Sequence, residues 1–203
     1  MDLSIRDSLA AVAEFYDQRK VGDSGPLGFR RSTDLMTLLA CADRLMEEKI
    51  IVPGETAFLD LGCADGRVNL FFSYLVRLSV GIELDEWTLD EYGPLRSHLE
   101  ALLERENLLP PPENIFLFHG DSTERRLHDA VARTTGLGVE SFDLFYTYLV
   151  MHDAFAEMLA ERARQGAIFM VYGLHKVLPQ YSGFRLLRHL SPMEEILALY
   201  EKM

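Results

Sequence analysis

Residues 58–67 read Phe58-Leu59-Asp60-Leu61-Gly62-Cys63-Ala64-Asp65-Gly66-Arg67, and this stretch decides the fold of the chain. A short apolar run ends in an acid and then passes through two glycines into a helical pattern, which predicts a strand, a tight turn and a helix. In such a unit the turn and the helix N-terminus can approach a ligand closely. Because Asp60 would repel a pyrophosphate, the turn favours a ligand that carries a cationic or amino group.

Strand-like and helix-like patterns alternate after this turn. Apolar runs predict strands over residues 57–61, 79–84, 114–119, 142–149 and 167–172. Helical periodicity predicts helices over residues 68–78, 85–107 with a break at Gly93-Pro94, 123–134 and 153–164. Strands that are buried on both faces read as apolar runs rather than as strict alternation, and these mostly do. Repeated βα units therefore favour a parallel, doubly wound sheet with right-handed crossovers.

The C-terminal part changes character, because residues 184–190 and 196–200 are two strand-like runs. Only residues 191–195 separate them, and so short a connection cannot hold a crossover helix. The two runs are therefore predicted to pair as an antiparallel hairpin. The whole pattern predicts an α/β fold with a mainly parallel, seven-stranded sheet that ends in this hairpin.

Two helices are predicted before the first strand. The first is indicated by apolar residues at helical spacing, namely Ile5, Leu9, Val12 and Tyr16. The second can be capped by Ser32 or Thr33, with Asp34 in its first turn. We therefore expect residues 1–50 to form a helical extension or lid and residues 51–203 to form the main domain.

Composition limits the class of partner. With 203 residues, of which 48% are hydrophobic and 26% charged, the chain can bury one sizeable α/β core. The net charge of −12 would repel a polyanion at long range. The basic clusters, such as Arg125-Arg126, are short and have no interleaved aromatic residues. Nucleic acid is therefore disfavoured as a partner.

The sequence also indicates a cytoplasmic location. Its N-terminus lacks the basic and apolar regions of a signal peptide, and no apolar run approaches the ~20 residues of a membrane-spanning helix, so no membrane partner is expected. The two cysteines, Cys41 and Cys63, cannot form a disulfide framework. Neither a cysteine cluster nor a His-x-x-x-His pair is present, so no metal is predicted.

From about Thr56 to the C-terminus the chain resembles the class I, seven-stranded methyltransferases that use S-adenosylmethionine. The first motif of that family runs acid, x, Gly, x, Gly, x, Gly, and residues 60–66 match it with Ala64 at the middle glycine. The resemblance implies S-adenosylmethionine as the cofactor. It places Asp60 at the amino-acid portion of the cofactor, with Gly62, Cys63, Ala64 and Gly66 forming the turn against it.

Further predicted binding residues follow the next strands. Glu83 lies about 20 residues past the glycine turn, where α/β nucleotide folds place a carboxylate on ribose hydroxyls, and its two oxygens suit a vicinal diol. The resemblance adds five residues near the adenine and the transferred methyl: Leu84 on the adenine face, Asp121 and Ser122 at the adenine, and Tyr146 and Thr147 on the fourth strand. Taken singly, each residue also has a plain structural interpretation, such as a helix cap for Asp121. The three acids at the carboxyl ends of successive strands favour a ligand site, because open α/β sheets bind ligands at that edge.

The implied reaction is an in-line displacement, which depends mainly on alignment of the acceptor. If the acceptor must lose a proton, Tyr148 or His152 is the predicted base. The acceptor is a small molecule or a protein side chain. Two alternatives stay open: a non-catalytic protein that binds S-adenosylmethionine, and a nicotinamide-dependent oxidoreductase, although Gly62-x-x-x-Gly66 does not match the Gly-x-Gly-x-x-Gly turn of that class.

The glycine-rich loop over residues 21–31 is a candidate lid. Phe29 is flanked by Arg30 and Arg31, and an aromatic ring with two cations can close over the carboxylate end of the cofactor. A plain linker between two packed helices explains the same residues equally well.

Overall fold

The computed structural model describes residues 1–22 and 31–203, and it contains one seven-stranded sheet of order β3-β2-β1-β4-β5-β7-β6. Its strands are β1 (Ala57–Leu61), β2 (Leu78–Glu83), β3 (Ile115–His119), β4 (Leu144–Tyr148), β5 (Ile168–Tyr172), β6 (Phe184–Leu186) and β7 (Leu197–Lys202). Its helices are α1 (Leu3–Asp17), α2 (Leu35–Glu47), α3 (Arg67–Ser73), α4 (Glu86–Leu89), α5 (Tyr92–Arg105), α6 (Arg125–Thr135) and α7 (His152–Arg162). The predicted fold class is confirmed.

The register of the central strands brings the predicted site residues together. β1 lies between β2 and β4 and pairs with both in parallel. Asp60 is directly opposite Gly81 on β2 and Tyr146 on β4. Because side chains alternate between the two faces of a sheet, Asp60 and Tyr146 lie on the same face. β7 pairs antiparallel with both β5 and β6, as the hairpin prediction requires.

Two apolar layers cover the two faces of the sheet. One layer packs Phe58 and Tyr146 against buried residues of α1, α2, α3 and α5, including Leu9 and Leu38. The other layer packs the alternate residues of the strands, such as Leu59, against α6 and α7. The N-terminal helices therefore share a core with the sheet. The proposed boundary near residue 50 stays a prediction.

The start of α2 differs from the predicted one. Asp34 is the N-cap, and its carboxylate accepts a hydrogen bond from the Thr37 amide at 2.7 Å, so the prediction of Ser32 or Thr33 as the cap is wrong. Asp17, the last residue of α1, accepts hydrogen bonds from the first two amides of α2, those of Leu35 and Met36, at 2.9 and 3.0 Å. Two carboxylates thus satisfy the amides at the positive end of α2, which leaves the residues before Asp34 available for other contacts.

Several predicted boundaries are also wrong. The helical run after β2 breaks at residues 90–91, and Gly93 and Pro94 lie in the first turn of α5. Proline is tolerated there because the first amides of a helix have no intrahelical acceptor. α3 ends at Ser73 rather than near residue 78. β6 is only three residues long, and the rest of the run up to residue 190 belongs to the connection with β7.

Gly66 is required by packing as well as by backbone conformation. It is the N-cap of α3, with a φ of 74°, and an added Cβ would lie 2.7 Å from the ring of Tyr92 and 2.8 Å from Leu117. Gly136 has a similar φ of 77°, but an added Cβ would meet nothing within 4 Å. The two glycines therefore separate backbone strain from steric overlap.

We predict that Gly136→Ala lowers the free energy of unfolding by about 1 kcal/mol, the cost of a left-handed alanine. Gly66→Ala should lower it by about 2–4 kcal/mol, because overpacking adds to the same strain. Chemical denaturation of both variants provides the measurement. Equal losses would show that Tyr92 and Leu117 move aside without cost.

Candidate active site

A cavity of about 570 Å³ opens at the carboxyl edge of the sheet, between the ends of β1, β2 and β4 and the loop after β3. All of the predicted site residues except Gly66 and His152 line it: Asp60, Gly62, Cys63, Ala64, Glu83, Leu84, Asp121, Ser122, Tyr146, Thr147 and Tyr148. Whether these residues bind a cofactor stays a prediction. The structure shows that they surround one common space.

The turn after β1 forms the floor of this cavity. The amides of Gly62 and Cys63 both donate to the Ile82 carbonyl at 2.9 Å, which holds the turn against β2. Gly62 has a φ of 98°, and an added Cβ would have no atom within 4 Å, so its open side provides space for a ligand. Ala64 adopts a left-handed φ of 51° at the position of the middle glycine. Burial raises the pKa of the Cys63 thiol, so this thiol is protonated at neutral pH.

Glu83 stabilises the turns that follow both β1 and β2. Its Oε2 accepts a hydrogen bond from the Ala64 amide and its Oε1 accepts one from the Asp85 amide, both at 2.8 Å. A carboxylate oxygen can accept two hydrogen bonds, so these contacts are compatible with hydroxyl groups of a ligand at the same oxygens. The ribose role of Glu83 stays a prediction, and Glu83 also has a structural role that the sequence did not indicate.

Asp60 is the most unusual group of the site. Its side chain is 1% exposed, and its buried Oδ1 has no hydrogen-bond partner among the residues that the structure describes. Burial raises its pKa well above the usual range, and the nearby charges of Glu83 and Asp65 raise it further. A buried carboxylate without a donor is unfavourable, and a cationic ligand would remove that cost.

Asp65 and Arg67 form a buried ion pair beside the turn. Nε and Nη2 of Arg67 donate to Oδ1 and Oδ2 of Asp65, at 3.0 and 2.8 Å. Nη1 donates to the Tyr16 carbonyl at 3.3 Å and to the Ser32 hydroxyl at 3.1 Å. Arg67 thus connects α3 to the end of α1 and to the residues before α2. The sequence pattern did not predict this role, although Arg67 directly follows Gly66.

The loop after β3 has a firmly held acid. Oδ1 of Asp121 accepts hydrogen bonds from the amide and the hydroxyl of Thr123, both at 2.7 Å, and these bonds lower the Asp121 pKa.

The Ser122 carbonyl lies 2.8 Å from Nε2 of the buried His128. Burial and the charge of Arg162 lower the His128 pKa, so Nε2–H of the neutral ring donates to Ser122. His128 is therefore a buried residue that holds this loop against α6.

The end of β4 supplies uncharged hydroxyl groups. Tyr146 is buried, and its hydroxyl lies 2.5 Å from Oγ1 of Thr33. Burial and the charge of Asp60 raise the Tyr146 pKa. The Thr147 hydroxyl donates to the Leu61 carbonyl at 3.0 Å, which fixes β4 against β1.

The two predicted bases are placed differently. Tyr148 is half-buried, lines the cavity and has its ring centroid 5.7 Å from that of Tyr172. His152 begins α7 outside the cavity wall, and its Nδ1 lies 2.8 Å from the Tyr181 hydroxyl and 3.2 Å from Oδ1 of Asp153. Only Tyr148 of this pair therefore contacts the cavity in this structure.

Further residues that the sequence analysis did not single out also form the cavity wall. Val150 and Met151, from the loop after β4, line the mouth and are 65% and 51% exposed. From the proposed lid, Val21 and Arg31 line the cavity, whereas Phe29 and Arg30 lie outside the described residues. Ser32 and Thr33 also line it, and no periodic pattern in the sequence could have identified them.

The described residues form neither a cluster of metal ligands nor a membrane-spanning helix. Across residues 1–22 and 31–203, no group of three or more His, Cys, Asp or Glu side chains is arranged as metal ligands would be. In the same ranges, every helix is too short or too polar to cross a bilayer.

No protein-family model and no curated protein matches the sequence, but solved structures match the fold. An RNA methyltransferase from Salinibacter ruber, in complex with S-adenosylhomocysteine, is 14% identical with a TM-score of 0.53, over 85% of this chain and 93% of that one. A putative methyltransferase from Escherichia coli is 15% identical with a TM-score of 0.53, over 87% and 89% of the two chains. A tRNA methyltransferase from Aquifex aeolicus is 11% identical with a TM-score of 0.51, over 86% and 77%. The chain therefore has the class I methyltransferase fold.

We predict that Asp60→Asn stabilises the ligand-free protein in a pH-dependent manner. Because the folded-state pKa of Asp60 is raised, the protonated form stabilises the fold below the unfolded-state pKa of about 4, and this stabilisation is lost as the pH rises through the folded-state pKa. The variant should match the wild type near pH 4 and exceed it increasingly until the pH passes the folded-state pKa, by about 1.4 kcal/mol for each unit of pKa elevation. Denaturation over a pH series measures this difference. A difference that does not change with pH would mean that Asp60 is not a strained buried acid.

Proposed function

We propose that this protein is an S-adenosylmethionine-dependent methyltransferase that transfers a methyl group to a small molecule or a protein side chain. The observation that carries the proposal is the unpartnered Oδ1 of Asp60, fully buried beside Glu83 in one cavity. A group that needs a cation and a group suited to a diol stand together at the edge where α/β sheets bind ligands. S-adenosylmethionine carries both an amino group and a ribose.

The residues of the cavity fit this cofactor. Asp60 would accept from its amino group, the open side of Gly62 would admit it closely, and Glu83 would hold its ribose hydroxyls. Leu84, Asp121 and Ser122 would contact the adenine. When bound, S-adenosylmethionine supplies a methyl group that is activated by a positively charged sulfur.

The distribution of charge in the cavity supports methyl transfer. The acids stand at the ends of β1 and β2 and after β3, whereas the end of β4 has only the uncharged Tyr146, Thr147 and Tyr148. A negative group near a positively charged sulfur would stabilise the ground state more than the transition state, in which that charge is being lost. A neutral surface at β4 avoids this penalty and leaves alignment of the acceptor as the main contribution to the rate.

Tyr148 is the catalytic residue that we favour, because it lines the cavity. Its hydroxyl would orient the acceptor or accept its proton. His152 stays a second candidate, which would have to exchange its hydrogen bond with Tyr181 for one with the acceptor.

The acceptor would enter past Leu84, Val150 and Met151, which are exposed and line the mouth of the cavity. An apolar mouth and a net charge of −12 suit a neutral or cationic acceptor rather than a nucleic acid. We keep a cytoplasmic location as part of the proposal.

The first test is calorimetric binding with S-adenosylmethionine, S-adenosylhomocysteine and NADH. We expect the first two to bind one per chain, with dissociation constants in the range of about 1 μM to 1 mM that enzymes show for their substrates, and NADH not to bind. No heat and no thermal shift with either sulfur ligand at millimolar concentration would reject the proposal. Release of S-adenosylhomocysteine with a panel of metabolites and peptides then separates an enzyme from a non-catalytic binding protein.

The second test concerns Glu83. We predict that Glu83→Ala weakens S-adenosylhomocysteine binding by about 1–3 kcal/mol, the range for hydrogen bonds to a charged group. Since Glu83 also holds the Ala64 amide, the comparison includes the 2′-deoxy analogue of S-adenosylhomocysteine. The wild type should bind the analogue more weakly than the parent ligand, whereas the variant should not distinguish them.

Glu86→Ala serves as the control, because Glu86 is an exposed acid at the start of α4, three residues further along the chain, and does not line the cavity. If folded Glu83→Ala protein kept full affinity, Glu83 would serve only to hold the two turns.

A further inference from the structure

Residues 31–34, which we call the strap, cross the carboxyl edge of the sheet just before α2. Three contacts hold the strap to three different elements. The Ser32 hydroxyl accepts from Arg67 of α3 at 3.1 Å, Oγ1 of Thr33 lies 2.5 Å from the Tyr146 hydroxyl of β4, and the Asp34 amide donates to the Tyr172 hydroxyl of β5 at 3.3 Å. Thr33 is 5% exposed. The strap is therefore a fixed part of the cavity wall.

The strap brings an arginine to the cavity. Arg31 is exposed and lines it, and no hydrogen bond or ion pair of Arg31 is found within residues 1–22 and 31–203. Arg67, the other arginine of the wall, is neutralised by Asp65 and directs its remaining donor to Tyr16 and Ser32. Arg31 is thus the guanidinium of the described cavity wall that is available to an anion.

Asp60 stands on the same side of the cavity as the strap. It is opposite Tyr146 in the register of β1 and β4, and Tyr146 contacts Thr33. An amino-acid group carries an ammonium and a carboxylate on one carbon atom. A site for such a group needs an acid and a cation in one cavity, and Asp60 and Arg31 both line this one.

We propose that the strap is the carboxylate subsite of the cofactor's amino-acid end, in which Arg31 binds the carboxylate and Thr33 is a positioning residue that acts through Tyr146. The inference rests on the function proposed above and deepens it. Tyr146 then has a different role from the direct cofactor contact that the sequence predicts, because its hydroxyl holds the strap. The subsite makes the protein selective for adenosine ligands with an intact amino-acid end.

The test compares S-adenosylhomocysteine with 5′-methylthioadenosine, which keeps the adenosine and the thioether but lacks the amino-acid end. Thr33→Val should weaken S-adenosylhomocysteine binding by about 3–10-fold, the effect of losing one buried hydrogen bond, and Arg31→Gln by about tenfold or more. Binding of 5′-methylthioadenosine should change by less than about twofold in both. Thr33→Ser keeps the hydroxyl and should bind like the wild type.

The hydrogen bond between Thr33 and Tyr146 is tested by a double-mutant cycle. Tyr146→Phe should weaken S-adenosylhomocysteine binding as Thr33→Val does, and the double variant should be no worse than either single one, because both remove the same hydrogen bond. Arg133→Gln and Thr134→Val are matched controls, since both residues are exposed on α6 and neither lines the cavity. The free energy of unfolding is measured for every variant.

The outcomes separate this inference from the proposed function. If the wild type binds neither ligand, the proposed function fails and the subsite with it. If the wild type binds S-adenosylhomocysteine and Arg31→Gln binds it equally well, only the carboxylate subsite is overturned. If Thr33→Val weakens both ligands to the same extent, Thr33 has a merely structural role and the positioning inference is overturned.

Discussion

The carboxylate of Glu83 accepts amide hydrogens from two turns at once, and the site depends on this interaction. One amide belongs to Ala64, in the turn after β1, and the other to Asp85, in the turn after β2. Left-handed backbone at an alanine costs about 1–2 kcal/mol, so a charge-assisted hydrogen bond at that residue offsets a strain that the turn would otherwise carry alone. With Ala64 held, Gly62 presents its open side to the cavity.

Asp60 and Asp65, two buried acids beside this turn, differ in whether a cation neutralises them. Asp65 has a bidentate partner in Arg67, and both side chains are almost fully buried. Asp60 has no such partner in the described structure, and the neighbouring acids raise its pKa. The fold therefore neutralises one buried acid with its own arginine and leaves the other near the cavity. This difference favours a structural role for the Asp65–Arg67 pair and a ligand-binding role for Asp60.

The parts of the fold and site that could be predicted depend on local patterns. The strand, turn and helix around Gly62 follow from periodicity and glycine placement, and Glu83 follows from its spacing to that turn. Thr33 could not be found this way, because its partner Tyr146 is 113 residues away and only the folded sheet brings them together. The position of His152 outside the cavity could not be predicted either, because its ring contacts Tyr181, which is 29 residues away. The predicted helix break at Pro94 is wrong because a proline can either end one helix or lie in the first turn of the next.

The N-terminal helices belong to the core, whereas the strap that precedes α2 lines the cavity, and this determines how the role of the N-terminal segment can be studied. Leu9, Val12 and Tyr16 of α1 are fully buried in the layer that also contains Phe58 and Tyr146 of the sheet. Removing α1 would expose that layer, so a loss of ligand binding in a truncated protein would report unfolding as readily as the loss of a lid. The carbonyl of Tyr16 and the hydroxyl of Ser32 meet the same Arg67 guanidinium, which couples the end of α1 to the strap. Single side chains of the strap, which add little to the core, are therefore the places where binding and folding can be separated.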